Sequence, residues 1–229
     1  MNRVINSELP KTFLQTLRKH PLLKWLLPIA VLGVAVLVMG FVGWPSSPLL
    51  LAQGNRLSEA RLVEQWQAGD LAVLIRHAER CDQSSNPCLG PPDGITQVGE
   101  QASIELGKAF SVLGLQQTDI YSSPSTRTAQ TAHSMFGGQV SQQQWLVECG
   151  KTLRDEVVAH KSARRNLVLV THSGCISDFE AQSGFRHALK AAYTSALFVS
   201  IKADGQLQVL GTLNTEDWPL LLNKEVVKH

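Results

Sequence analysis

The chain has 229 residues, of which 44% are apolar, and a formal net charge of +2. This length suits one membrane segment together with one domain that has a sizeable core, because domains commonly contain about 100 to 200 residues. Five Lys or Arg residues and a single acidic residue, Glu8, lie in residues 1–44, and the rest of the chain carries 16 basic and 18 acidic side chains. Such a near-neutral body lacks the basic face of a nucleic-acid-binding protein, which argues against that class.

The amino-terminal region combines a basic segment, residues 1–24, with an uncharged one. Residues 25–44 read WLLPIAVLGVAVLVMGFVGW, twenty residues without a charge. A helix of that length spans a bilayer at 1.5 Å per residue. Because basic flanks stay in the cytoplasm, we expect an uncleaved signal anchor in the inner membrane, with the body in the periplasm. A cleaved signal peptide, which would leave a periplasmic protein, is the alternative.

A linker with two prolines and a glycine is predicted for residues 45–57, before a domain at residues 58–229. Early in that domain, residues 71–75 form the apolar run LAVLI, which Arg76 and His77 follow. A continuous apolar run is typical of a strand that helices cover on both faces in a parallel sheet. Ligands of such sheets bind beyond the carboxyl ends of the strands. We therefore expect this Arg-His pair at a ligand site.

Two later stretches place charged side chains at similar junctions. Residues 119–131 read DIYSSPSTRTAQT, which predicts a strand, a turn and a helix with Arg127 near its start. Residues 166–174 read NLVLVTHSG, a second apolar strand that ends just before His172. These junctions lie along one edge of a doubly wound sheet, so two arginines, two histidines and the helix amino termini should form an anion site. A guanidinium matches the oxygens of a phosphate, and an imidazole beside it is a candidate nucleophile.

Further elements extend this sheet. Residues 140–149 are predicted as another strand that ends at Glu148, and residues 193–201 and 206–213 as an antiparallel hairpin around the turn sequence Ala-Asp-Gly. The four cysteines are an even number, and in an oxidising compartment they indicate two disulfides. A metal site is less favoured because the sequence contains no Cys-x-x-Cys.

Three motifs together resemble those of the histidine phosphatase superfamily: RHAERCD at residues 76–82, SSPSTRTAQT at residues 122–131 and TH at residues 171–172. Nearly all of residues 71–177 takes part in this resemblance. It implies a three-layer α/β/α sandwich with a mostly parallel central sheet, as in phosphoglycerate mutases. It also implies a phosphomonoesterase that forms a phosphohistidine intermediate and needs no metal or other cofactor. The branch that matches best acts in the periplasm, so the expected substrate is phosphorylated lipopolysaccharide core or another phosphorylated sugar.

The resemblance assigns roles to four side chains. His77 is expected to attack phosphorus, while Arg76, Arg127 and His172 hold the phosphate oxygens. Fixed positive donors are needed there because negative charge develops on those oxygens during the reaction.

The general acid that protonates the leaving sugar is less sharply indicated. Glu148 lies about twenty residues after the second motif, where many relatives carry the acid, and Glu79 lies closer to the nucleophile in sequence. Asp82 is a third candidate. All three stay open, because a general acid must first satisfy geometry.

Four cysteines allow three pairings. We expect Cys81 to pair with Cys88, which closes a loop after the first motif, and Cys149 to pair with Cys175, which ties two junctions together.

Two other functions remain open from the sequence. One is a phosphohistidine protein phosphatase or a general acid phosphatase on the same chemistry. The other is a domain without catalysis that binds phosphorylated glycans in the same cationic pocket.

Overall fold

In the computed structural model, residues 21–42, 47–185 and 188–226 are described. The chain divides into two units, residues 1–45 and 46–229. Helix α1 covers Pro21–Val42 in the first unit. Within the described ranges, no helix combines the length and the apolar character that crossing a membrane requires. Most of the predicted basic segment, residues 1–20, and the last two residues of the predicted anchor lie outside the described ranges.

The second unit alternates strands and helices. Its strands are β1 (Leu71–Arg76), β2 (Thr118–Ser122), β3 (Ser141–Gln142), β4 (Asn166–Thr171), β5 (Ala196–Ile201) and β6 (Leu207–Leu213). Its helices are α2 (Arg56–Ala60), α3 (Leu62–Ala68), α4 (Gln97–Leu113), α5 (Thr126–Phe136), α6 (Trp145–Glu148), α7 (Leu153–His160), α8 (Ser173–Gln182) and α9 (Trp218–Val226). Short 3-10 turns lie at Cys81–Gln83, Gly150–Thr152 and Thr215–Asp217.

The six strands form one sheet in the order β3-β2-β4-β1-β5-β6. Strands β3, β2, β4 and β1 run parallel to one another, β5 is antiparallel to β1, and β6 is antiparallel to β5. Every residue of β1 and β4 is buried, as their continuous apolar runs predicted. The predicted hairpin is also confirmed, as β5 and β6. The carboxyl ends of β1, β2 and β4 therefore meet at one edge of the sheet.

Helices cover both faces of this sheet. On one face, Phe110 packs between Trp66 and Trp218, with ring centroids 5.5 and 4.9 Å apart. On the other face, Leu146 and Phe179 pack against the alternate residues of the same strands. Burial of one such large apolar side chain stabilises the fold by about 1.5–3 kcal/mol. The predicted α/β/α arrangement with a mostly parallel sheet is therefore confirmed.

A close contact between α4 and α5 depends on a small residue. A Cβ atom at Gly107 would lie 2.1 Å from the backbone oxygen of Met135, closer than real atoms approach. The absence of a side chain lets α5 lie directly against α4. This contact helps to hold α5, and with it Arg127 in its first turn, at the edge of the sheet.

The prediction of a strand over residues 140–149 is wrong for most of its length. Only Ser141–Gln142 pairs with β2, and the chain then turns into α6. Trp145 and Leu146 belong to a short apolar run, whose periodicity does not distinguish a strand from a helical turn. The tertiary structure decides the outcome, because Leu146 is buried and its carbonyl accepts a hydrogen bond from Thr171 Oγ1 at 2.7 Å.

Part of the segment predicted as a linker packs against the domain. Leu51 is buried, and its N–H donates to the carbonyl of Thr212 at 2.9 Å. The N–H of Thr212 in turn donates to the carbonyl of Leu49 at 2.8 Å. Residues 49–51 therefore lie along the end of β6.

Candidate active site

A cleft of about 300 Å³ opens at the carboxyl edge of the parallel strands. The four side chains singled out in the sequence arrive there from β1, the start of α5 and the end of β4. The cleft is lined by Arg76, His77, Arg80, Arg127, Glu148 and His172, together with residues 173–175 at the start of α8. The fold thus brings the three motifs into one site.

His77 is fixed by hydrogen bonds on both its backbone and its ring. Its side chain is buried, and its backbone N–H donates to the carbonyl of Thr171 at 2.9 Å, across the pairing of β1 with β4. Ring atom Nδ1 lies 2.8 Å from the carbonyl oxygen of Ala78. A carbonyl only accepts, so Nδ1 carries the proton and Nε2 keeps its lone pair. This tautomer leaves the outer ring nitrogen free to attack.

The surroundings of His77 keep its imidazole uncharged. Burial lowers the pKa of His77 to about 3 against the opposing effect of the bond to Ala78, and repulsion from His172, Arg127 and Arg76 acts in the same direction as burial. An imidazolium here would lose its hydration beside two guanidinium groups. At neutral pH the imidazole is therefore uncharged, and its Nε2 has a lone pair.

His172 is held in the opposite tautomer. Arg127 Nη2 lies 3.2 Å from His172 Nδ1, and a guanidinium has no acceptor, so Nδ1 must accept. His172 Nε2 then carries the proton and donates to Ser123 Oγ at 2.9 Å. Burial lowers the pKa of His172 to about 4, with Arg127, Arg80 and Arg76 acting in the same direction. Both imidazoles of the site are therefore neutral, with opposite nitrogens protonated.

The two arginines keep spare hydrogen-bond donors. Arg76 Nη1 donates to the carbonyl of Ala191 at 2.6 Å, and its Cζ lies 3.8 Å from the ring centroid of Tyr193. Within the described ranges, Arg76 Nε and Arg127 Nε are buried without a hydrogen-bond partner. Burial lowers the pKa of both guanidinium groups. Such charged donors form their strongest hydrogen bonds with an oxyanion, so an oxyanion is the ligand that suits this cleft.

The start of α8 adds a further positive element. This helix begins at Ser173, directly after His172, and Ser173 and Gly174 line the cleft. The first N–H groups of a helix lack intrahelical partners and carry a partial positive charge. They supplement the two arginines as an anion site.

The candidate acids differ in their surroundings. Glu148 lines the cleft at the end of α6, is exposed, and accepts a hydrogen bond from Gln144 Nε2 at 3.1 Å. Glu79 Oε2 instead accepts from Asn86 Nδ2 at 2.9 Å and from Thr96 Oγ1 at 2.7 Å. These two bonds, that of Asn86 first, lower the pKa of Glu79. Glu79 therefore stays ionised and ties the first motif to the start of α4.

Asp82 is occupied by an ion pair. Arg80 Nε donates to Asp82 Oδ1 at 2.7 Å, and Arg80 Nη2 contacts Asp82 Oδ2. This pairing lowers the pKa of Asp82. It also partly neutralises Arg80, which stands at the mouth of the cleft.

Two disulfides frame the site in the expected pairing. Cys81 is bonded to Cys88, and Cys149 to Cys175. The second bond joins the residue after Glu148 to the first turn of α8. Among the residues that the structure describes, no group of three or more His, Cys, Asp or Glu side chains is placed to hold a metal ion.

Sequence reasoning assigned no role to Ser123 or Tyr193. Ser123 lies inside the second motif, so the sequence could have indicated its role. Its hydroxyl bonds to His172 Nε2 and orients that ring. Tyr193 lies in the turn before β5, where no motif marks it. Its ring faces Arg76, and its hydroxyl donates to Gln83 Oε1 at 3.2 Å. Its contact with Arg76 arises only from the antiparallel pairing of β5 with β1, which the sequence does not mark.

No profile of a known protein family matches the chain. Curated proteins similar to it include the lipopolysaccharide core heptose(II)-phosphate phosphatases of Escherichia coli O139:H28 (strain E24377A / ETEC) and of Escherichia coli strain K12 / DH10B. Each is 36% identical over 137 residues, which are 58% of this chain and 66% of the relative. The match thus spans slightly less than two thirds of the length of these relatives.

A solved structure with a similar fold is that of the protein histidine phosphatase SixA complexed with tungstate. It matches with a TM-score of 0.52 at 12% sequence identity, over 64% of this chain and 98% of that chain. At this identity the likeness concerns the fold.

We expect the free energy of unfolding to fall as the pH is lowered from about 6.5 toward 4. The pKa values of His77 and His172 are lowered to about 3 and about 4 in the folded chain, against about 6.5 when unfolded. These two groups make the unfolded chain bind more protons in this interval, so acid favours unfolding; Glu180, whose pKa is raised to about 7 in the folded chain, opposes this with a single group. Urea unfolding at a series of pH values measures the slope of the free energy of unfolding against pH.

His77→Asn should reduce this slope by up to the contribution of about one bound proton. Gln83→Ala, in the same cleft but without a titrating group, is the matched control and should leave the slope unchanged. An unaltered slope in His77→Asn would contradict the assignment of a buried neutral imidazole.

Proposed function

We propose that this chain is a member of the histidine phosphatase superfamily and a phosphomonoesterase that forms a phosphohistidine intermediate. The observation that carries the proposal is the state of His77. Its imidazole is neutral, its Nδ1 is held by the carbonyl of Ala78, and its Nε2 keeps its lone pair in a cleft that Arg76 and Arg127 also line. A nucleophile needs such a lone pair, and phosphate needs such cations around it.

In the first step, His77 Nε2 attacks phosphorus opposite the ester oxygen. The new N–P bond forms as the P–O bond to the sugar breaks, and the sugar oxygen takes a proton from a carboxylic acid. Arg76, Arg127 and His172 hold the oxygens that stay on phosphorus. To hold an oxygen, His172 must exchange one of its partners for the phosphate, because its Nδ1 accepts from Arg127 and its Nε2–H is donated to Ser123.

In the second step, water attacks the phosphohistidine. The carboxylate formed in the first step takes a proton from this water, the N–P bond breaks, and His77 returns to its neutral state. Inorganic phosphate is released, so the balanced reaction consumes one water for each ester. All the charges needed to hold the phosphate belong to the chain itself.

We infer that Glu148 is the general acid. It lines the same cleft as His77, whereas Glu79 is bound to Asn86 and Thr96. A carboxylate whose pKa is lowered by two donors is a poor proton donor, and Glu79 acts as a positioning residue for the loop after β1. Asp82 is engaged by its ion pair with Arg80.

The proposed substrate is phosphorylated lipopolysaccharide core or another phosphorylated sugar. Support comes from the names of the curated relatives at 36% identity. The cleft is open and cationic, with Arg80 at its mouth, which suits a bulky anionic glycan. A phosphohistidine protein phosphatase would share the chemistry and differ in substrate.

We also propose that residues 25–44 anchor the chain in the inner membrane, with residues 1–24 in the cytoplasm and the domain in the periplasm. Large apolar side chains of α1 are exposed by more than half, from Leu26 at 57% to Met39 at 77%. Lipid would cover such a surface favourably, and the basic flank favours this orientation. Two disulfides suit the oxidising periplasm. An anchor would also raise the effective concentration of the enzyme near a membrane glycolipid.

His77→Ala should abolish phosphate release, a loss of at least about a thousandfold, because no other side chain replaces a missing nucleophile. The assay uses the full-length oxidised chain with purified lipopolysaccharide core and with p-nitrophenyl phosphate. Brief incubation with radiolabelled substrate should leave an acid-labile label on the wild-type chain only. Full residual activity in a folded His77→Ala variant would refute the nucleophile assignment.

Glu148→Gln should slow phosphate release from a sugar phosphate by about 10²- to 10⁴-fold, because the poor leaving group needs a proton. Release from p-nitrophenyl phosphate should change much less, since p-nitrophenolate leaves without one. Glu79→Gln is the matched control. If Glu79→Gln, rather than Glu148→Gln, slows release from the sugar phosphate much more than release from p-nitrophenyl phosphate, Glu79 is the general acid.

Deletion of residues 1–44 should move the protein from the membrane fraction to the soluble fraction. A phosphatase reporter that is active only outside the cytoplasm, fused at the carboxyl terminus of the intact chain, should be active. An intact chain in the soluble fraction, or an inactive but stable fusion, would contradict the anchor and its orientation.

A further inference from the structure

A second pocket, of about 450 Å³, lies beside the phosphate cleft between α8 and strands β5 and β6. Lys190 lines both cavities. Ala191 lines the second pocket, and its carbonyl accepts the hydrogen bond from Arg76. The two cavities are therefore neighbours at the same edge of the sheet. We call the second one the α8 pocket; its lining includes Leu50, Ile176, Glu180, Leu189, Leu197 and Asn214.

Glu180 is an unusual side chain for this place. The residue is only 3% exposed, and within the described ranges its Oε2 is buried without a hydrogen-bond partner. Burial raises the pKa of Glu180 to about 7. An unpaired buried carboxyl group costs free energy, and an apolar side chain of similar size would avoid that cost. The mechanism proposed for the phosphate cleft does not use this group.

The composition of the pocket restricts the ligand. Lys190 and Arg56 line it, so a cation would be repelled. An acyl chain would suit Leu189 and Leu197 but would leave the carboxyl group of Glu180 unpaired. A sugar ring meets both requirements, because its C–H faces pack on apolar side chains and its hydroxyls pair with polar groups. A carboxyl group can accept from such hydroxyls and, when protonated, can also donate to them.

We propose that the α8 pocket binds a neighbouring sugar of an oligosaccharide whose phosphorylated sugar lies at His77. The inference rests on the proposed phosphatase function and deepens it, because it makes a phosphorylated oligosaccharide, rather than a sugar monophosphate, the preferred substrate class. Glu180 supplies the hydrogen bonds to the second sugar. It is a binding residue and takes no part in the chemical step.

The test compares three substrates: p-nitrophenyl phosphate, a heptose monophosphate, and phosphorylated core oligosaccharide freed of its acyl chains. For the wild-type chain, kcat/KM should be highest for the oligosaccharide. Glu180→Leu should lower kcat/KM about threefold to tenfold for the oligosaccharide through a higher KM, the effect of losing one hydrogen bond. It should leave the other two substrates unchanged. Glu180→Gln, which still donates and accepts, should remain close to wild type.

Thermal unfolding separates binding from a structural role. Glu180→Leu should be at least as stable as the wild-type chain, because it removes an unpaired buried carboxyl group. A destabilised variant that loses activity equally on all three substrates would make Glu180 structural and overturn the proposal.

Two further outcomes count against the subsite. Equal kcat/KM for the oligosaccharide and the heptose monophosphate would overturn it while leaving the phosphatase intact. A higher kcat/KM for intact lipopolysaccharide, added as a fourth substrate, than for the oligosaccharide freed of its acyl chains would assign the pocket to lipid and overturn the proposal. No release from any of the three substrates would refute the phosphatase function itself.

Discussion

The site depends on one electrostatic constraint: a histidine at the carboxyl end of a buried strand must stay uncharged between two arginines. Burial and like charge both act against protonation of His77, and the carbonyl of Ala78 decides which nitrogen keeps the proton. Arg127 imposes the opposite tautomer on His172. The sheet makes this arrangement possible, because β1 and β4 are buried on both faces and end side by side.

The parts of this architecture that are encoded locally were predictable. Continuous apolar runs identified β1 and β4, since a strand covered on both faces has no polar side to alternate with. The residues that follow such strands in a parallel sheet share one edge, which is why four distant side chains were expected together. The pairing of Cys81 with Cys88 was expected among the three pairings that four cysteines allow, and its seven-residue separation costs little chain entropy on closure.

The remainder required tertiary contacts. Residues 145–148 form a helical turn because Leu146 is drawn into the core under α8, and their apolar run carries no periodicity of its own. Tyr193 reaches Arg76 only through the pairing of β5 with β1. Glu79 differs from Glu148 because its carboxylate accepts hydrogen bonds from Asn86 and Thr96. In the sequence these two partners look like ordinary polar loop residues. No local pattern marks these relationships.

The path of the chain along β6 has a consequence for self-association. An open sheet presents unpaired N–H and C=O groups at its outer strands, and these can template pairing with another copy. Here β3 is only two residues long, while Leu49 and Leu51 occupy backbone groups at the end of β6. At both edges of the sheet, the protein's own chain thus limits the backbone groups that stay unpaired. This reduces the hazard of strand-to-strand pairing between copies of the folded domain.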